Sequence, residues 1–111
     1  MSFTVNVIDC MYGSPAQGVT GRLERQSYGT WEEPVHGRTD ENGLLCGWSP
    51  TPAITPGVYR LELDVDRYYA TLGIVPLYLR VNVVLRVTDP ADDHRVYVLI
   101  TPFFNAMFRK T

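Results

Sequence analysis

The chain has 111 residues, enough to bury one core and too few for two, so a two-domain enzyme is excluded and a single domain over 1–111 is expected. Hydrophobic residues at 45% and charged residues at 20% lie in the globular range and exclude a disordered or collagen-like chain. A formal net charge of −2 gives no cationic surface for a phosphate backbone or an anionic membrane, so neither nucleic acid nor membrane is an expected partner.

Met1 to Asn6 contains neither a basic stretch nor a long apolar run. Elsewhere no uncharged window reaches the roughly 20 apolar residues of a membrane helix, and a cytoplasmic protein is expected. Cys10 and Cys46 do not make a disulfide framework and are read as free thiols acting as small packing residues.

Gly and Pro punctuate the chain at short intervals, and the stretches between them alternate apolar with polar residues, the period of half-buried strands. Phe3 to Asp9 is the first strand and ends at Gly13-Ser14-Pro15. Val19 to Arg25 is a second, with one wet face. Trp31 to Arg38 is a third, placed at an edge or bulge by Pro34. Thr39 to Gly43 is a plain turn before a strand from Leu44 to Trp48, and the three prolines of Ser49 to Gly57 make a surface connection.

Val58 to Val65 follows as a strand with Tyr59, Leu61, Leu63 and Val65 on one face. Asp66 is expected to cap a short helix over about 66–72, stopped by a left-handed Gly73. The longest alternating run, Leu77 to Val87, is expected to be central, with Leu79, Val81, Val83 and Leu85 in the core. After the Asp89-Pro90-Ala91-Asp92-Asp93 turn, Arg95 to Thr101 and Ala106 to Thr111 complete an all-β, eight-stranded, two-sheet sandwich with one short helix.

Catalytic signatures are sparse. There is no nucleophile elbow, phosphate loop or dinucleotide fingerprint, and His36, His94 and the two cysteines do not make a zinc spacing. No metal and no cofactor are expected.

The order of the parts is more informative. Val7-Ile8-Asp9 before Gly13-Ser14-Pro15-Ala16, then Leu23-Glu24-Arg25, Trp31, Thr39-Asp40-Glu41-Asn42-Gly43, Gly57-Val58-Tyr59-Arg60-Leu61, Tyr68-Tyr69 and Val98-Leu99-Ile100-Thr101-Pro102-Phe103 resemble the transthyretin and 5-hydroxyisourate hydrolase family over essentially the whole chain. The resemblance implies an eight-stranded sandwich with one short helix. It also implies a homotetramer, a dimer of dimers around a central channel, with two ligand sites where the dimers meet. Members of the family either open a purine-derived ring or bind thyroid hormone.

Where that family's hydrolases carry a His, an Arg and a second His, this chain has Asn6, Leu44 and Arg95. It ends in Phe108-Arg109-Lys110-Thr111 where they end in Tyr-Arg-Gly-Ser. An always-charged guanidinium is not a general base, so ordinary hydroxyisourate hydrolysis is not expected. His94 is adjacent to the replaced position, but one residue along a strand is the opposite face.

The replacements suggest a different box. Ile8, Leu44, Leu99 and Phe108 would supply apolar walls, with Thr111 as a further substrate contact. Arg95, Tyr97 and Asn6 would supply converging polar groups: Arg95 an anion or oxyanion clamp, Tyr97 a proton donor, Asn6 a carbonyl polariser. Simpler roles remain open, with Arg95 paired to Asp92 or Asp93 and Tyr97 merely packed. Three functions follow: an enzyme with altered chemistry on a small cyclic or aromatic metabolite, a non-catalytic small-molecule binder, or a hydroxyisourate hydrolase working by other groups.

Overall fold

The computed structural model describes residues 3–89 and 93–109. Nine β-segments and one helix follow in chain order: β1 Phe3–Asp9, β2 Ser14–Pro15, β3 Thr20–Ser27, β4 Thr30–Arg38, β5 Leu44–Leu45, β6 Gly57–Asp64, α1 Val65–Ala70, β7 Arg80–Val87, β8 His94–Ile100 and β9 Asn105–Arg109. They form two sheets. One runs β2-β1-β8-β9, with β5 pairing β1, and the other runs β4-β3-β6-β7.

The inner faces are set by the alternation. Val5, Val7, Val98 and Ile100 of the first sheet meet Leu23, Leu61, Leu63 and Val81 of the second, all buried. Trp48 seals one end, its ring 6.3 Å from that of Phe3 and its indole N–H donating to the Phe3 carbonyl at 2.7 Å.

Four expectations need correction. First, the segment after the Asp40 turn is a strand only at Leu44–Leu45; Trp48 lies outside it, and Ser49 returns to a single bridge with His36. β5 has a ladder of only two pairs with β1, and one side chain anchors it in the core. Leu45 is fully buried, and a Cβ on Gly21 or Gly37 would come within 2.5 Å of its methyl groups. The two glycines make its socket.

Second, the helix is Val65–Ala70 and its cap is Asp64, whose carboxylate accepts from Arg67 N–H at 3.0 Å; Asp66 sits inside the first turn. Gly73 does take a left-handed φ of 73°. Third, β7 is an edge strand. Val81 and Val87 are buried and Val83 and Leu85 half-buried, but Leu79 is 57% exposed and outside the core. Alternation shows that a strand has two different faces; it carries nothing about how many neighbours the strand has. Fourth, Cys10 and Cys46 are free but exposed, so neither packs the interior.

Pro34 behaves as expected. β4 is the other edge of its sheet, and its pairing with β3 shifts between Leu23 and Arg25. Glu33, just before the proline, is left at a φ of 54°. Among the described residues, no helix is long and apolar enough to cross a membrane.

Candidate functional site

Register decides which side chains share the outer face of the first sheet. β1 and β8 are parallel, with Thr4 beside Arg95, Asn6 beside Tyr97 and Ile8 beside Leu99. β8 and β9 are antiparallel, with Phe108 beside Tyr97 and Ala106 beside Leu99, and β5 sets Leu44 beside Asn6. Partners in register point to the same side, so Leu44, Asn6, Tyr97 and Phe108 form one row across four strands. At ordinary strand spacing that row is about 14 Å long. Ile8, Leu99 and Ala106 form a second row one pleat away.

The face is neither core nor ordinary surface. Asn6, Ile8, Leu44, Tyr97 and Leu99 are half-buried, although their chain neighbours Val5, Val7, Leu45, Val96, Val98 and Ile100 are buried on the other side. Tyr97 and Phe108 stack with centroids 5.0 Å apart and planes 6° from parallel, while Phe108 stays 49% exposed. This is a stacked aromatic pair on the outer face of the sheet, a platform for a further ring.

The polar groups sit beside it. The Asn6 amide is next to Tyr97 in the row, and neither side chain hydrogen-bonds to another described residue. Arg95 lies one pleat away, exposed at the end of β8, and makes no ion pair among the described residues. Asp92 and Thr111 lie outside the described residues. His94, as its one-residue offset requires, faces inward: it is buried, its ring is 6.5 Å from Phe3, and its Nε2 is 3.0 Å from the Asp89 carbonyl oxygen. Six of the eight singled-out residues are therefore contiguous, a seventh is at the margin, and the chemistry available is stacking, amide and phenol hydrogen bonding and capture of an anion.

Behind the platform is a polar cluster that sequence reading did not single out. Asp9, fully buried at the end of β1, accepts from Tyr68 Oη at 2.8 Å, Tyr69 Oη at 3.0 Å and Met11 N–H at 3.0 Å. It ties α1 to the first sheet. Burial, and then the Asp9 carboxylate, raises both tyrosines above their ordinary range. The available signal was a carboxylate at an inward position of an apolar strand, which needs donors from elsewhere.

The sequence matches the HIUase/Transthyretin family over residues 3–110. The chain belongs to this family. Its fold is that of transthyretin. Sea bream transthyretin in complex with thyroxine superposes at a TM-score of 0.90 and 24% identity, covering 100% of this chain and 96% of the other. Transthyretin from Sparus aurata gives 0.89 and 24%, covering 98% and 96%. The chain is thus an HIUase/Transthyretin family member with an aromatic, amide-lined outer sheet face.

Proposed function

We propose that the outer face of β5, β1, β8 and β9 is one wall of a small-molecule site and that a second copy of the chain supplies the other. The observation that carries this reading is the Tyr97–Phe108 stack flanked by Asn6 and Leu44. One face of a sheet cannot enclose a ligand, and small-molecule sites cover most of their occupant, so a facing surface is needed. β7 and β9 end their respective sheets, and such edges are ready templates for pairing with another chain. With apolar side chains also exposed on the sheets' outer faces, Val84 at 60% and Phe108 at 49%, this favours a homotetramer built as a dimer of dimers.

The occupant that fits is a small cyclic or aromatic metabolite bearing negative charge. Its ring would stack on Tyr97 and Phe108 against Ile8, Leu44 and Leu99, and Arg95 would hold the anionic group. The same groups suit a reaction in which negative charge develops on oxygen: Arg95 as oxyanion clamp, Asn6 polarising a carbonyl, Tyr97 donating the proton. Plain ligand carriage is the second reading. It is favoured by the similarity to a transthyretin bound to thyroxine and by the lack of carboxylate or imidazole among the paired outer-face residues of β1, β8 and β9.

Arg95→Ala separates the readings. In an enzyme it should raise the transition-state barrier by about 2 to 4 kcal/mol, while costing no more than about 1 kcal/mol of stability because the residue is exposed. Arg95→Lys should rescue only in part, since a point charge does not reproduce a planar fork. A carrier would lose affinity instead of turnover. Fresh 5-hydroxyisourate should decay near its uncatalysed rate, and fast stereoselective ring opening would favour the hydrolase reading. Unchanged activity and affinity in Arg95→Ala would contradict Arg95's role.

A further inference from the structure

A cavity lies on the other sheet, away from the platform. It measures about 400 Å³ and opens where β4 swings out from β3. Its floor is the inner-face trio Leu23, Val35 and Tyr59, and its sides are Pro34, Pro50 and Pro52. Ligand sites begin at about 300 Å³ and are mostly apolar with few polar groups, a description this cavity meets. The prolines hold the walls with little conformational freedom to lose on binding.

The polar groups at its wall are unevenly satisfied. Glu24 is buried, and its carboxylate is taken by Arg22 at 3.0 Å and by Arg60 Nε and Nη2 at 3.1 and 2.6 Å. Arg25 differs. Its Nη2 reaches only the Pro56 carbonyl, at 3.5 Å, and its Nε is shielded from solvent with no acceptor. Nε–H and Nη2–H project from one edge of the guanidinium, the edge that receives a carboxylate through two parallel hydrogen bonds. Arg25 is the one cationic residue among those lining the cavity, and that single long hydrogen bond leaves its guanidinium short of acceptors.

The rim carries strain. Glu33 holds a left-handed φ of 54°, a conformation that costs a non-glycine residue and tends to persist at ligand clamps. The register shift beside it is the kind of bulge that re-aims side chains around sites. With the Glu24 carboxylate already paired to two arginines, the Glu33 carboxylate on the rim weighs against an occupant with a second negative charge.

We propose that this cavity is a binding site for a small monocarboxylate with an apolar or aromatic body, its carboxylate paired with the Arg25 guanidinium and its body against Leu23, Val35 and Tyr59. It is independent of the platform and of any second copy.

The test is a titration of the full chain with 3-phenylpropionate, followed by amide chemical shifts, beside a titration with neutral 3-phenylpropionamide. Saturable shifts are expected at Leu23, Arg25, Val35 and Ala53. The neutral probe and the Arg25→Gln variant should each bind at least about tenfold more weakly, the worth of a hydrogen bond to a charged group. Ala53 is exposed at the cavity's edge, so Ala53→Trp should fill the opening without disturbing the core and block binding even if Arg25→Gln folds poorly. Arg95→Ala should leave the saturable shifts at Leu23, Arg25, Val35 and Ala53 unchanged. The proposal is overturned by absence of saturable shifts, by shifts confined to Asn6, Tyr97 and Leu99, by equal affinity for the two probes, or by unimpaired binding to Ala53→Trp.

Discussion

Asp9 shows how one side chain links scaffold and site. Two of its three accepted hydrogen bonds, from Tyr68 and Tyr69, hold α1 against the strand that carries Asn6 and Ile8. Asp9→Ala would leave two tyrosine hydroxyls without an acceptor, and a loss of about 3 to 5 kcal/mol is expected, read as a much lower urea midpoint. Alkaline pH probes the same cluster. Burial and Asp9 raise Tyr68 and Tyr69, and burial raises Tyr78. A folded-state pKa above the unfolded value near 10 leaves stability whole below pH 10 and removes it as pH climbs towards the folded values. Absorbance at 295 nm should therefore show these three of the seven tyrosines ionising late, with unfolding. Smooth titration of all seven around pH 10 in folded protein would contradict the arrangement. At this scale the sequence was legible wherever parity decides: Asn6 and Tyr97 outward, His94 inward. It was silent on Arg25, because the space beside that residue comes from the Glu33–Pro34 bulge and a distant proline loop.

Elements were legible as long as their period was their own. β1, β4 and β8 follow from alternation and turn residues, but β5 is short because its anchor, Leu45, depends on glycines from β3 and β4. Asp64 and Asp66 are equally good caps by type; what selects Asp64 is that β6 runs to it directly before α1 begins. Thermal melts should separate them: Asp64→Ala should cost about 1 kcal/mol and Asp66→Ala only a few tenths. Equal losses would place the cap wrongly. β7 reads as central by its alternation and is an edge in the sheet, because a strand's place is fixed by partners elsewhere along the chain.

The whole molecule turns on one geometric fact: Leu44, Asn6, Tyr97 and Phe108 form one row on the outer face of a sheet, which within one chain is a wall and not a pocket. Neither alternation nor motif order discloses what faces that row, although the family resemblance points to the face itself. Sedimentation velocity in the presence of 8-anilinonaphthalene-1-sulfonate, an aromatic anion with its own absorbance, addresses both halves of the claim together. The account predicts that at micromolar concentration the chain sediments as a tetramer carrying the dye, and that Arg95→Ala sediments as the same tetramer carrying markedly less of it. A monomer, or an Arg95→Ala tetramer that carries the dye undiminished, would contradict it.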